Sequence, residues 1–256
     1  MTTSINWLQF FSFYLVLLIP FGLLRWLQLK ETIKEFVIAV IRMTVQLLLV
    51  GLYLEFVFKL DLLWLNLLWL LLMILVASFS AMSRAKLPWR VLLPKIYLGF
   101  FIALIPVVLL FLTVLSKPTP WYQAQYLIPI GGMLLGNAMG GVVIGLNSFF
   151  NQHNNHRIEI LQWLTMGATP FEATRRHMVQ AVKASVSPQI ASIATLGLVS
   201  LPGMMTGQIL GGSNPMTAIQ YQIAIMVGII SCQTIAVILT LIGSNQYLLE
   251  QCQSSE

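Results

Sequence analysis

The sequence predicts an all-α, polytopic membrane protein with about seven transmembrane helices. Apolar residues make up 58% of the 256-residue chain, charged residues only 9%, and the mean hydropathy is +0.85. Soluble domains usually carry about a quarter charged residues. Apolar runs long enough to span a bilayer recur along the chain, and only residues 151–187 form a long polar and basic interval. We therefore expect a single transmembrane domain over residues 1–256.

The apolar runs define the expected spans. They cover residues 7–24, 36–58, 62–82, 96–115, 126–150, 185–201 and 218–242. The sixth run is short for a membrane helix, which needs about 20 residues, and Pro202 with Gly203 breaks it. The first run is expected to remain as a membrane helix, because no basic residue precedes it as a cleavable signal would require.

The basic residues lie on alternate loops and therefore orient the helices. Eleven follow the first, third and fifth runs, whereas the alternate loops hold only Lys59 and Lys117. The eleven are Arg25, Lys30, Lys34, Arg84, Lys86, Arg90, Lys95, Arg157, Arg175, Arg176 and Lys183. Because basic loops stay in the cytoplasm, we expect the N-terminus outside and the C-terminus in the cytosol, in a plasma (bacterial inner) membrane. The net charge of +6 then indicates contact with anionic lipid and not with nucleic acid.

Residues 151–187 predict two helices joined by a sharp turn. The first helix, over residues 158–166, ends at Gly167, which is a helix-stop signal. The segment Thr-Pro-Phe-Glu at 169–172 has the pattern of a capping box, with proline at the first helical position. An amphipathic helix follows, and the orientation of the chain places it in the cytosol. A basic surface helix bound to lipid headgroups and a docking element for a cytosolic partner both fit this pattern.

Polar residues inside two of the apolar runs are candidates for a translocation path. Arg42 lies about one turn inside the second run, and Gln46 follows one turn later on the same face. These side chains either reach back to the inner surface or face a substrate route. In the fifth run, glycines recur every four residues over 132–140, with Asn137 and Met139 among them. This spacing is typical of close helix packing, and a substrate path is the alternative.

Residues 200–212, which follow the sixth run and precede the seventh, contain a proline and several glycines. Irregular backbone at membrane depth is tolerated where it is buried in protein or lines a wet cavity, and broken helices often mark transporter sites. A plain outer loop fits equally well. The candidate gating residues are Pro202, Gly203, Met204, Met205, Gly207 and Gln208. The two methionines offer thioether sulfur, a ligand suited to soft metals.

The sequence contains no motif that would make the chain an ATPase or a hydrolase. No GxxxxGK[ST] occurs, so the chain cannot bind ATP through a P-loop of its own. A Ser-His-Asp site is not expected either, because Asp61 is the only aspartate. His153 and His156 could share a metal, but solvation in a polar loop is the more common role of such histidines. The sequence leaves the metal ligands unassigned.

Three stretches resemble the FetB family of ABC-transporter permeases, which includes bacterial iron-export and plant aluminium-tolerance permeases. They are EILQWLTMGATPFEA at 159–173, SLPGMMTGQILGGSNP at 200–215 and GMLLGNAM at 132–139. The resemblance extends over nearly the whole chain. It implies a homodimer of permeases paired with two copies of a separate cytosolic ABC ATPase, which binds ATP and Mg²⁺, while this chain holds no cofactor. It also implies that the ATPase-coupling residues are Glu159, Gly167, Ala168, Thr169, Pro170, Phe171, Glu172, Arg175 and Arg176.

Two functions follow from these observations. The resemblance implies the permease subunit of an exporter, for iron or another metal, driven by ATP hydrolysis on the separate subunit. The residues alone also fit a seven-helix scaffold or receptor without transport activity, whose basic cytosolic loop binds lipid or a signalling partner. Binding of an ATPase to the cytosolic hairpin distinguishes the two.

Overall fold

A computed structural model describes residues 6–116 and 118–254, and within these residues the chain forms nine helices. Six of them are long and apolar enough to cross a membrane, which confirms a multi-pass helical membrane protein. They cover Trp7–Trp26, Lys30–Leu60, Leu63–Ala85, Val91–Ser116, Ala124–Asn155 and Pro215–Asn245. The described residues therefore contain six candidate spans where the sequence predicts seven.

The predicted sixth span, residues 185–201, is absent from these six candidates. Its residues belong to a longer helix, Pro170–Thr195, which begins in the polar interval and has a mean composition too polar for a span. The chain leaves the helical conformation after Thr195, and Gly197 takes a positive φ of 83°. The prediction of a helix over residues 196–201 is wrong. An apolar run indicates that residues are buried or contact lipid, but it does not show that they are helical.

The chain divides into two compact units. The first reaches to Leu60, together with Leu210–Gly212, and contains helices α1 (Trp7–Trp26) and α2 (Lys30–Leu60). Helix α1 passes through a short 3₁₀ segment, Phe13–Leu17. A hydrogen bond of 2.7 Å joins the hydroxyl groups of Tyr14 and Thr44, and so fastens α1 to α2 within this unit.

The second unit covers Asp61–Ile209 and Ser213–Glu256 and carries the remaining helices. These are α3 (Leu63–Ala85), α4 (Trp89–Leu110, continued by the π-helical turn Phe111–Ser116), α5 (Ala124–Asn155), α6 (Arg157–Thr165), α7 (Pro170–Thr195), α8 (Gly203–Leu210) and α9 (Pro215–Ser254). Helix α9 packs against α4, α5 and α7, and α3 packs against α4 and α5. Fully buried side chains such as Phe100, Leu134 and Val237 fill the space between these helices.

The glycines of α5 have two different surroundings. A Cβ on Gly132 or Gly145 would lie 3.2 Å from a side chain of α3 or α9, and one on Gly141 would lie 2.6 Å from a side chain of α9. These positions show the close helix packing that the sequence predicts. Gly136 and Gly140 have open space around them, because no atom would lie within 4 Å of a Cβ there.

Helices α7 and α8 change two predictions about the second half of the chain. The amphipathic helix and the start of the predicted sixth span form one continuous helix, α7, without a boundary near residue 187. Residues 203–208, predicted to be irregular, lie on the short helix α8. Irregular backbone is confined to the links on either side, where Gly197 and Gly212 have positive φ angles.

Candidate functional site

The end of α6 is fixed by a glycine turn. Gly167 has a φ of +92°, a conformation that other residues adopt only with strain. Its N–H donates to the Leu164 carbonyl at 3.1 Å, and the N–H of Ala168 donates to the Trp163 carbonyl at 3.0 Å. This pair of bonds is a Schellman motif, which satisfies the last carbonyls of a helix. The turn that follows α6 is therefore defined by its own backbone.

The start of α7 is fixed by the predicted capping box. The backbone N–H of Thr169 donates to the Glu172 carboxylate at 2.8 Å, and its hydroxyl donates to the same oxygen at 2.6 Å. The N–H of Glu172 in turn donates to the Thr169 hydroxyl oxygen at 3.4 Å. The bonds from Thr169 lower the pKa of Glu172 below its ordinary value. Pro170 occupies the first helical position, where a missing N–H costs nothing.

The α6–α7 corner, residues 157–176, packs on itself and on the body of the second unit. Ile160 and Ala173 are buried against each other, with Leu164 beside them. Further along α7, Thr174 and Met178 are buried on the side that faces the core. The corner is thus a packed extension of the helical body.

The outer surface of the corner exposes large apolar side chains and cations. The exposed fraction is 74% for Ile158, 50% for Trp163, 73% for Met166 and 48% for Phe171. Arg175 is exposed on α7, one turn after Phe171. Such side chains cost free energy in water and are typical of a surface that binds another molecule.

A pocket of about 570 Å³ lies in the bend of the corner. Five of the predicted coupling residues line it, namely Glu159, Gly167, Ala168, Glu172 and Arg176, together with Trp163, Met166, Ala173 and His177. The Glu159 carboxylate lies 3.3 Å from Nδ1 of His156 and 3.7 Å from Nη1 of Arg176. The fold therefore brings five of the residues predicted to contact an ATPase together around one pocket.

A second pocket, which we call the α8 pocket, has a volume of about 600 Å³. It is lined by Ile193, Leu196, Gly197, Leu201, Pro202, Met205, Ile219, Gln222, Ile223, Met226, Val227 and Ile230. None of these side chains is charged, and Gln222 is the polar one among them. Its amide oxygen is buried and has no hydrogen-bond partner among the described residues. The α8 pocket therefore suits an apolar or soft group better than a hard cation.

The predicted translocation residues of the second unit do not all come together. Pro202 and Met205 line the α8 pocket, whereas Met139 and Met204 pack against the core of the second unit. Asn137 is exposed on α5 and donates to the Met133 carbonyl of its own helix at 2.8 Å, Gly203 and Gly207 are exposed on α8, and Gln208 is half-buried there. In the first unit, Arg42 and Gln46 are exposed on α2. Their roles in translocation stay predictions.

A comparison with known families decides where the chain belongs. A model described as Uncharacterised protein family (UPF0014) matches residues 7–248. The chain belongs to the UPF0014 family. This confirms the resemblance that the three sequence stretches indicate, because the family includes the probable iron export permease protein FetB of Escherichia coli. That protein is 33% identical over 208 residues, which is 80% of this chain and 78% of the relative.

Other UPF0014 proteins match over similar lengths. The UPF0014 membrane protein slr1647 of Synechocystis is 34% identical over 217 residues, covering 85% of this chain and 83% of its own. The protein ALUMINUM SENSITIVE 3 of Arabidopsis thaliana is 34% identical over 202 residues, covering 79% and 72%. No solved structure matches the chain.

The sequence did not predict the role of His177, which lines the pocket at the corner of this UPF0014 chain. His177 is buried, its ring stacks on that of His156 at a centroid distance of 5.2 Å, and its Nδ1 lies 3.3 Å from the Gln152 amide oxygen. The signal was present, because His177 falls three residues after Thr174 on the face that carries Met178. Across the described residues, no group of three or more histidine, cysteine or acidic side chains could hold a metal.

Proposed function

We propose that this UPF0014 chain is the permease subunit of an ABC exporter, and that a separate cytosolic ATPase docks on the α6–α7 corner. The observation that carries the proposal is a defined turn that exposes Trp163, Met166 and Phe171. Exposed apolar groups on a packed scaffold are suited to burial in the cleft of a protein partner. The missing P-loop supports the same division of labour, because energy must then come from another subunit.

The charges of the corner define the partner surface that we propose. Arg175 and Arg176 are exposed on the first two turns of α7, whereas Glu172 is engaged by Thr169 and Glu159 by Arg176. Because Arg176 is paired with Glu159, Arg175 is the cation that gives the exposed apolar surface a basic flank. An ATPase cleft with apolar walls and an acidic margin complements this surface.

The mechanism follows from the continuity of α7. This helix begins at the corner with Pro170, and Ile193, near its other end, lines the α8 pocket. In our proposal, ATP closes the ATPase pair, the docked corners move with it, and access to the translocation path changes. Two copies of the chain supply the two corners that a pair of ATPases requires. In this proposal the corners lie on the cytosolic side of the plasma membrane, as the distribution of basic loops predicts.

Iron or another metal is the substrate that we propose. The support is the name of the Escherichia coli relative, which describes a probable iron export permease. Met205 and Met226 line the α8 pocket, and thioether sulfur is a ligand type suited to a soft metal ion.

Reconstitution tests the docking proposal. The chain is expressed with the candidate ATPase, and ATP turnover is measured in liposomes with Gly167→Trp and Glu172→Ala as variants. We expect the chain to change the turnover of the ATPase and both variants to abolish this effect, because they disrupt the turn and the cap. Gly51→Trp is the matched control, since Gly51 is exposed on α2 with open space around it. An ATPase that does not bind the wild-type chain would favour the scaffold or receptor function.

The substrate is tested in the same liposomes with a panel of radiolabelled metals. We expect ATP-dependent movement of iron, or of another metal in the panel. In cells, loss of the chain should raise the iron content under iron or peroxide stress. Equal iron contents in both strains would contradict the iron assignment. If ATP moves none of the metals in the panel, metal transport is contradicted.

A further inference from the structure

Helices α5, α7 and α9 meet at one buried polar contact. Nε2 of Gln233, on α9, donates to the backbone carbonyl of Ser185, on α7, at 2.9 Å. The exposed fractions of the two residues are 4% and 1%. A buried bond between an amide side chain and a helix carbonyl fixes one helix against the other, because breaking it would leave an unpaired donor in an apolar surrounding.

Gly141 of α5 makes room for this contact, and Gly145 borders it. A Cβ on Gly141 would lie 2.6 Å from Cγ and Nε2 of Gln233, and one on Gly145 would lie 3.6 Å from Cβ of Ser185. Any side chain at 141 would therefore displace the Gln233 amide. The three helices form one joint, which consists of Gly141, Gly145, Ser185 and Gln233.

The joint lies at a weak turn of α7. Pro188 is inside the helix and lacks the N–H that would bond to the Ala184 carbonyl. Bends in helices concentrate at such prolines. Gln233 bonds to the adjacent carbonyl, that of Ser185, and so adds a fixed point where α7 has fewer bonds of its own.

The position of the joint along α7 separates the two pockets. With a rise of about 1.5 Å per residue, Ser185 lies roughly 22 Å along the helix from Pro170, where α7 leaves the corner. The α8 pocket begins at Ile193, roughly 12 Å beyond Ser185 by the same rise. A movement of the corner must therefore pass the joint to reach the α8 pocket through α7.

We infer that Gln233 is a positioning residue for coupling: it holds α7 at Ser185, so that the helix pivots there and carries movement of the corner to the α8 pocket. The inference rests on the proposed docking of an ATPase at the corner. It assigns to Gln233 no contact with substrate. Its role is to keep the two ends of α7 moving as one body.

The test uses the full chain with its ATPase in liposomes and a cysteine at Leu196, which lines the α8 pocket. Cys252→Ser removes one native thiol, and Cys232 is fully buried. The rate of maleimide labelling is measured with and without ATP. In the wild-type background we expect ATP to change this rate about fivefold or more, the lower end of usual allosteric coupling.

Gln233→Met keeps the size of the side chain but cannot donate a hydrogen bond. We expect it to bring the ratio of labelling rates close to one while the ATPase still binds. Gly141→Ala should act in the same way by displacing the Gln233 amide, and it provides the comparison if Gln233→Met does not fold. Gln220→Met, at an exposed position of α9, is the matched control and should resemble the wild type.

The outcomes separate this inference from the proposed function. If the ATPase does not bind the wild-type chain, the proposed function fails. If the ATPase binds and is regulated, but Gln233→Met retains the full ATP effect on labelling, the inference is overturned. The same holds if ATP leaves the labelling rate unchanged in the wild type while ATP turnover is coupled to transport.

Discussion

At the scale of single residues, the α6–α7 corner depends on local backbone chemistry. Gly167 supplies a positive φ, and Thr169 and Glu172 satisfy each other's backbone amides. These bonds connect atoms at most three residues apart, so they are encoded in the segment itself. Sequence analysis could predict the turn and the cap for this reason.

Removal of the cap should loosen the start of α7. Thr169→Ala removes the hydroxyl that accepts from the Glu172 N–H, and a lost N-cap costs about 0.5–2 kcal/mol. We expect faster hydrogen exchange of the first amides of α7. Thr165→Ala is the matched control, because the Thr165 hydroxyl bonds only to the Gln162 carbonyl at the exposed end of α6. Equal exchange in the two variants would contradict a stabilising cap.

Acidification should destabilise the packing of His177. Burial lowers the pKa of His177 below 6.5, nearby His156 and Arg176 lower it further, and Glu159 opposes them. The unfolded chain then binds a proton at a higher pH than the folded chain, so stability falls as the pH drops below about 6.5.

Thermal unfolding at pH values from about 7.5 down to about 5.5 measures this effect. The wild type should lose more stability over this range than His177→Gln, which cannot take up the proton. Parallel curves for the two proteins would show that His177 makes no contribution.

At the scale of elements, buried polar contacts between distant segments determine the packing, and sequence analysis could not find them. The Asp61 carboxylate accepts from the N–H of Ala124 at 2.8 Å and from the Asn66 amide at 3.0 Å. Asn66 also donates to the Tyr122 carbonyl, 56 positions along the chain. A pattern within one segment does not reveal a partner so far away.

Asp61→Ala should therefore destabilise the second unit. It leaves the buried N–H of Ala124 without its acceptor, which costs about 1–3 kcal/mol. A lower thermal unfolding midpoint in detergent would measure the loss. Glu55→Ala is the control, because the exposed Glu55–Lys59 ion pair contributes about 0–1 kcal/mol. Equal midpoints for the two variants would contradict the role of Asp61 in joining α3 to α5.

The boundaries of the helices also could not be predicted from patterns within one segment. The apolar run at 185–201 predicted a separate short span, but α7 extends from Pro170 to Thr195 without a break. Helix α8 formed where proline and glycine predicted irregular backbone. Hydrophobicity locates a segment in the membrane or the core. The Gln233–Ser185 bond, which packs α9 against α7, joins residues 48 positions apart.

At the scale of the whole molecule, composition determined the class and motifs determined the family. The scarcity of charge predicted a multi-pass helical protein, and the six candidate spans agree. The motif at 159–173 predicted the corner, and four of its predicted coupling residues line one pocket together with Arg176. The candidate translocation residues of the second unit do not meet at one site, because a polar side chain in an apolar run shows that a position is unusual without showing what it contacts. Membrane orientation and the ATPase partner stay predictions of our account.

The central claim is that the α6–α7 corner lies in the cytosol, where an ATPase can reach it. The most direct test places a cysteine at Gln180, an exposed position of α7, in a chain that carries Cys252→Ser and retains the buried Cys232. A membrane-impermeant maleimide should leave this cysteine unlabelled in intact cells and label it in inverted vesicles. Labelling in intact cells would place the corner outside and contradict the account.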